Sequence, residues 1–246
     1  SASGGEEYCW TTSWGVSTRL IGAVIMTHSD DDGLVLPPRI APTQIVLLPI
    51  HRSDEEKAAV MAACEQIVQG LHGRAWRGEP VRATIDARDI RGGEKTWQHV
   101  KQGMPLRVEI GPRDLAAKSV SVFRRDRGPK EREGMPIEAF VAGAAGLLEE
   151  IQTGLLERAR AHREANTKRL GSLAEVTEFF AEPAKGRGVH GGFAVVHVAD
   201  DPAVAAALDP LKVTVRCIPT EGPDEAGVCI LTGQPTTRPS ILAKAY

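Results

Sequence analysis

"TQIVLLPIHRSDEEKAAVMAACEQIVQGLHG" (Thr43 to Gly73) reads as one strand followed at once by one helix. The run "TQIVLLPI" is short and continuously apolar, which suits a strand covered on both faces of a sheet. Ser53 and Glu56 then stand at capping-box spacing. Val60, Cys64, Ile67, Val68 and Leu71 share one helical face, which places Cys64 in a core. Working outward, "VRATIDA" (Val81 to Ala87), "PLRVEI" (Pro105 to Ile110) and "KSVSVFRR" (Lys118 to Arg125) read as further strands. "EKTWQHVKQ" (Glu94 to Gln102) reads as a short helix, and Pro136 to about Leu170 as one or two more. Such alternation predicts an α/β layer architecture. From Ser172 a second small α/β unit is expected. Its helices are "SLAEVTEFFAE" and "PAVAAAL", and its strands "GFAVVHVA", "KVTVRCIP", "GVCILTG" and "ILAKAY".

At 246 residues and 42% hydrophobic content, the chain is long enough for two or three domains. Gly, Pro or charge interrupts every apolar stretch before it reaches membrane-spanning length, and the first residues lack signal-peptide character. Cys9, Cys64, Cys217 and Cys229 form no disulfide framework and no CxxC pair, which fits a reducing cytoplasm. The formal net charge is −2, yet Val100 to Arg132 holds nine basic and four acidic residues. That local excess is either a solvated face or a phosphate-contacting stripe.

The opening stretch "TTSWGVSTRLIGAVIMTHSDDDGLVLPPRIAP" (Thr11 to Pro42) carries the other informative pattern. Ser13, Gly15 and Ser17 alternate with Trp14, Val16 and Thr18, so a strand there would turn small residues to one face. Either a flat ligand lies on that face or the small residues permit close core packing. Leu20, Ile21, Val24 and Ile25 follow with the spacing of a buried helix stripe. Arg19 thus sits at a strand-to-helix junction, where a guanidinium can stack on an aromatic ring and bond phosphate. Pro37, Pro38 and Pro42 end regular structure and suggest a domain boundary near Pro42.

The three blocks "TTSWGVSTRLIGAVIMTHSDDDGLVLPPRIAPTQIVLLPI", "GMPLRVEIGPRDL" and the terminal "AKAY", in this order, resemble the C-terminal half of prolyl-tRNA synthetases of the eukaryotic and archaeal type. The resemblance implies an α/β chain in three parts. Residues 1–42 would be the tail of a class II synthetase catalytic core, 43–150 an anticodon-binding domain, and 151–246 a small C-terminal zinc-binding-like α/β domain. It implies an ATP-dependent proline–tRNA ligase, in which proline is activated to an adenylate and transferred to tRNA(Pro). The first block corresponds to motif 3, one of three class II motifs, so the chain alone should not form the adenylate. A non-catalytic RNA-binding module remains the alternative. Ser17, Thr18 and Arg19 match ATP-binding positions, and Ser13, Trp14 and Gly15 match the strand beside the prolyl-adenylate pocket. His28, Asp30, Asp31 and Asp32 match a stretch read as structural. Arg107, Arg113 and Asp114 match positions that contact anticodon bases, and their groups suit guanine edges. Lys118, Arg124, Arg125, Arg127 and Lys130 would face the tRNA backbone. Where the family often has glutamate in "WELKG", this chain has Val100, which leaves that contact to Gln98, His99 or Lys101.

The resemblance also implies ATP with Mg as substrate and ion, a homodimer at full length, no membrane, and a cytoplasmic location. Zinc-binding relatives use four cysteines, but here "HVADDPAVA" lacks the first pair and the second reads Cys229, Ile230, Leu231, Thr232. Cys217 matches a cysteine that is not a ligand. With His190 and His197 as the nearest substitutes, no zinc is expected.

Overall fold

A computed structural model describes residues 1–128, 130–181 and 192–244. His190 and the last two residues of "ILAKAY" therefore lie outside the described residues. The chain divides into two compact units, Ser1–Glu157 and Arg158–Tyr246.

The first unit is built on a five-stranded sheet of β1 (Ile45–Pro49), β2 (Ala83–Ile85), β3 (Leu106–Ile110), β4 (Ser119–Arg124) and β5 (Glu133–Pro136), in the order β2-β1-β3-β4-β5. β2, β1 and β3 run parallel, with Ile45 opposite both Ala83 and Leu106; β4 and β5 are antiparallel. All five residues of β1 are buried, as a central strand covered on both faces requires. Helix α1 (Arg19–His28) precedes the sheet, and α2 (Asp54–His72), α3 (Gly92–Lys101), α4 (Pro112–Ala116) and α5 (Ile137–Ala165) connect or cover its strands. The Ser53 hydroxyl accepts from the Glu56 N–H at 3.2 Å, while the Glu56 carboxylate reaches back to the Arg52 N–H, one residue earlier than a standard box. Val60, Cys64, Ile67 and Leu71 of α2 share a core with Phe140, Ala144, Leu148, Ile151 and Leu155 of α5. Burial pushes the Cys64 thiol up to about 12, as for an inert core residue.

Three expectations change in this unit. Residues 11–18 form no strand: they make no ladder hydrogen bonds and are exposed, Trp14 at 94%. Alternation of small residues needs a partner strand to become a sheet edge, and the described residues supply none. The apolar stripe of α1 is helical but not buried, with Leu20 58% and Ile21 64% exposed. "EGMP" (Glu133–Pro136), too polar to read as a strand, pairs with β4 from Ser119 to Val122.

The second unit holds β6 (Thr167–Arg169), α6 (Leu173–Phe179), β7 (Phe193–Val196), α7 (Pro202–Leu208), β8 (Val213–Cys217) and β9 (Ser240–Lys244), with sheet order β8-β9-β7-β6. Its core gathers Val176, Phe180, Val196, Leu208, Val213 and Leu242. The stretch to Leu170 is not all helix: α5 ends at Ala165, and Thr167 pairs with Phe193. "GVCILTG" is a strand only at Gly227–Val228, after which Gly233, at φ +71, turns the chain back.

Candidate nucleic-acid interface

The connection from β1 through α2 leads to β2 on one side, and the return through α3 leads to β3 on the other. The chains leaving the carboxyl ends of β1 and β3 therefore diverge, which opens a crevice where ligands bind in open α/β sheets. Pro49 and Ile110 are register partners, so both strands end level. Beyond them lies an open cleft of about 500 Å³. His51 and Arg52 line it after β1, Arg113 and Asp114 after β3, and Arg132 ahead of β5. Sequence reading pointed to Arg113 and Asp114 but passed over His51, Arg52 and Arg132. Their signal was position, directly beyond a buried strand or ahead of its sheet neighbour.

Each base-reading candidate has a distinct setting. Arg113 is exposed on the first turn of α4. Asp114 is half-buried: its Oδ2 accepts from the Gly111 N–H at 2.9 Å, and its Oδ1 faces the Ser121 hydroxyl at 3.5 Å. Arg107 is 5% exposed on β3, its guanidinium 4.4 Å from the Phe123 ring centroid and its Nε 3.6 Å from Glu109. Burial pulls its pKa below the usual arginine range, against the opposing pull of Glu109. Of these three, Arg113 and Asp114 line the cleft and Arg107 does not.

Around α3 the sequence reading missed a buried network. Asp86 accepts from Arg88 at 2.6 and 2.8 Å and from His99 Nε2 at 2.8 Å, while the buried Lys95 ammonium donates to the Asp86 carbonyl at 3.0 Å. Hydrogen bonds from Arg88, and then from His99, hold the Asp86 carboxyl well below the usual range despite burial. Val100 is 1% exposed. Of its three neighbours, His99 is turned inward on Asp86, and Gln98 accepts from Arg88 and donates to Glu94. Lys101 is exposed, with its ammonium 5.6 Å from the Trp97 ring centroid.

The basic stripe separates into two groups. Lys118, Arg127 and Lys130 are exposed. Arg124 and Arg125 are internal: Arg124 pairs with Asp126 at 3.0 Å and Glu150 at 2.6 Å, and Arg125 with Asp30 at 2.7 Å. Sequence spacing could not separate them, because Arg124 and Arg125 sit between Lys118 and Arg127 in one continuous stretch.

Residues 44–145 match the family described as anticodon binding domain. Over 245 residues the chain is 47% identical to proline–tRNA ligase 2 of Anaeromyxobacter dehalogenans, covering 97% of this chain and 48% of the relative. It is 48% identical over 246 residues to the proline–tRNA ligases of Bdellovibrio bacteriovorus and Rhodopirellula baltica, covering all of this chain and 49% and 48% of theirs. The chain belongs to the prolyl-tRNA synthetase family. It spans about half the length of the relatives it matches.

The residues expected to correspond to motif 3 are not among those that line the cleft. Ser13, Trp14 and Gly15 are exposed in irregular chain. Thr18 precedes α1 and Arg19 opens it, with the Ser17 hydroxyl accepting from the Arg19 N–H at 3.3 Å.

In the second unit, Cys229 is 3% exposed. Burial raises its thiol pKa, yet hydrogen bonds from the Thr232 side chain and from backbone N–H groups including Ala199 bring it down to about 7. His197 bonds Thr236 through Nδ1 at 2.7 Å. Among the described residues, no three of His, Cys, Asp and Glu cluster in a way that could hold a metal ion. The donors aimed at the Cys229 sulfur are N–H and O–H groups, not further sulfur or nitrogen ligands, so the surroundings of Cys229 do not fit a tetrahedral zinc site. No helix among the described residues is long and apolar enough to cross a membrane.

Proposed function

We propose that this chain supplies the anticodon-reading module and the motif 3 ATP contacts of a cytoplasmic proline–tRNA ligase about twice its length. The observation that carries this reading is the cleft at the switch point of the sheet, where Arg113 and Asp114 converge within the matched anticodon-binding segment. Proline anticodons contain two guanines. Arginine donates to guanine O6 and N7, and a carboxylate accepts from the Watson–Crick edge. Single-stranded loops expose these edges, so the anticodon loop is the part of tRNA(Pro) such a cleft suits. Arg107 supports the strand beneath, and Lys118, Arg127 and Lys130 meet phosphates.

In the complete enzyme, a homodimer, Arg19 stacks on adenine beside Ser17 and Thr18, and Ser13 to Gly15 lie beside the proline pocket. The proline carboxylate attacks the α-phosphate of ATP and pyrophosphate leaves, with Mg and cationic groups absorbing charge. The test is a titration of this chain with proline tRNA and with the same tRNA carrying a changed anticodon. Tighter binding of the first is expected, and Arg113→Ala should cost about 1–3 kcal/mol of that preference. Equal affinity of the unmodified chain for both would overturn the reading.

A further inference from the structure

The guanidinium of Arg125 is a point where three stretches of chain meet. Arg125 follows β4 directly, and its side chain is 2% exposed. Its backbone N–H donates at 3.0 Å to the carbonyl of Pro105, the residue before β3. Its Nε donates at 3.0 Å to the Val100 carbonyl in the last turn of α3. Its terminal nitrogens clasp both Asp30 carboxylate oxygens, at 2.7 and 2.5 Å, and one of them also reaches the Gly33 carbonyl at 3.2 Å.

Asp30 lies two residues past the end of α1, in a turn closed by mutual hydrogen bonds with Gly33. That turn is pressed onto the end of α3 as closely as backbone allows. A Cβ on Gly33, at φ +135, would stand 2.6 Å from Lys101 Cα, and one on Gly103, at φ +73, would stand 2.7 Å from Leu34 Cβ. The Leu34 N–H donates to the Lys101 carbonyl at 3.0 Å and the Leu36 N–H to the Gly103 carbonyl at 3.3 Å. Helix α1 buries none of its ten residues, and this clamp ties its exit to the sheet. A bidentate arginine–carboxylate pair fixes orientation as well as distance, so a shift of the α3 end or of the start of β3 passes through this fork to the exit of α1.

We propose that Asp30 and Arg125 are a positioning pair that couples the end of α3 and the start of β3, within the anticodon-binding segment, to the exit of α1, the helix that Arg19 opens. This rests on the function proposed above. The test uses the enzyme at the full length of its relatives, unmodified and as Asp30→Asn and Asp30→Glu. Proline-dependent ATP–pyrophosphate exchange is measured without tRNA. Charging kcat and KM are measured with proline tRNA and with an anticodon-changed tRNA. For Asp30→Asn, exchange should be unchanged, while kcat for proline tRNA falls by about 5- to 150-fold at unchanged KM, so that its advantage over the changed tRNA shrinks. Asp30→Glu, which keeps the charge on a longer arm, should restore part of the loss. It carries the same test if the asparagine variant does not fold, as a smaller loss confined to kcat. Unmodified charging by Asp30→Asn would overturn the coupling, as would loss of exchange and charging together, which marks a pair that only holds the fold. An unmodified enzyme that charged both tRNAs alike would instead overturn the underlying reading of function.

Discussion

The Asp114 carboxylate is held to the backbone of Gly111, with Oδ2 2.9 Å from the Gly111 nitrogen. One side chain thus steadies the start of α4 and borders the cleft. These two roles separate by substitution. Asp114→Asn keeps an oxygen for the Gly111 N–H but loses the charge proposed to accept from guanine. It should leave the melting temperature nearly unchanged and lower anticodon preference by about 1–3 kcal/mol. Asp114→Ala should lose the same preference and, in addition, about 1 kcal/mol of stability. Thermal melts beside binding titrations check both, and an asparagine variant with full preference would remove Asp114 from base reading.

The exposed and internal basic residues of the stripe should fail differently. Replacing Lys118, Arg127 or Lys130 with alanine should weaken proline tRNA and the anticodon-changed tRNA alike, and reduce the salt slope by about 0.7–0.9 for each phosphate that is no longer neutralised. Arg124→Gln should act on the fold instead, because its 8% exposed side chain leaves Asp126, 9% exposed, without its partner. Removing one member of a buried pair costs about 3–5 kcal/mol. Salt-series titrations and denaturant melts separate the two classes.

Acid should unfold the first unit through identifiable carboxylates. Arg125 holds Asp30 low, Arg88 holds Asp86 low, and hydrogen bonds from Arg77 and Trp76 bring Glu149 down to about 2. A carboxyl depressed in the folded state contributes stability that is present above its unfolded value and lost as pH falls through the folded value. The ordinary values are 3.8 for aspartate and 4.5 for glutamate, so stability should hold at neutral pH and decline from the region of these values downward. Asp86→Asn should lower the plateau and flatten the acid limb. Urea midpoints across a pH series check it, and an unchanged limb would show that Asp86 carries none of the linkage.

The central strand, its helix and the order of elements were legible in the sequence because burial there imposes strict patterns. Ile45 to Leu48 can be nothing but covered, and Val60 to Leu71 keep one helical face. The short strand at Glu133–Pro136 was not legible, since it is specified by pairing with Ser119 to Val122 and not by its own residues. The same limit applies to the cleft. "GPRD" announces a turn and a helix start, whereas the presence of His51 and Arg52 beside it follows from the crossover on each side of β1, and that of Arg132 from the antiparallel pairing of β4 and β5. Arg124 and Arg125 looked like surface charge because their partners Glu150 and Asp30 are 26 and 95 positions away.

Zinc should be dispensable to the second unit. Cys229 has the depressed thiol of a potential zinc ligand, but its sulfur accepts from the Thr232 N–H at 3.4 Å, where a second ligand would otherwise sit. The Gly233 N–H bonds the Cys229 carbonyl at 3.0 Å and the Cys229 N–H the Gln234 carbonyl at 2.8 Å, so the turn closes through its own backbone. A structural zinc site contributes folding energy outright, and chelators denature proteins that depend on one. This chain should therefore purify with far less than one zinc per molecule and melt at the same temperature with and without chelator. Cys229→Ser should lose stability only by the amount a buried sulfur and its neighbours provide. Elemental analysis after chelation and dialysis against added zinc decides the matter. Zinc retained at one per chain, with a lower melt on chelation, would mean that ligands outside the Cys229 turn complete a site.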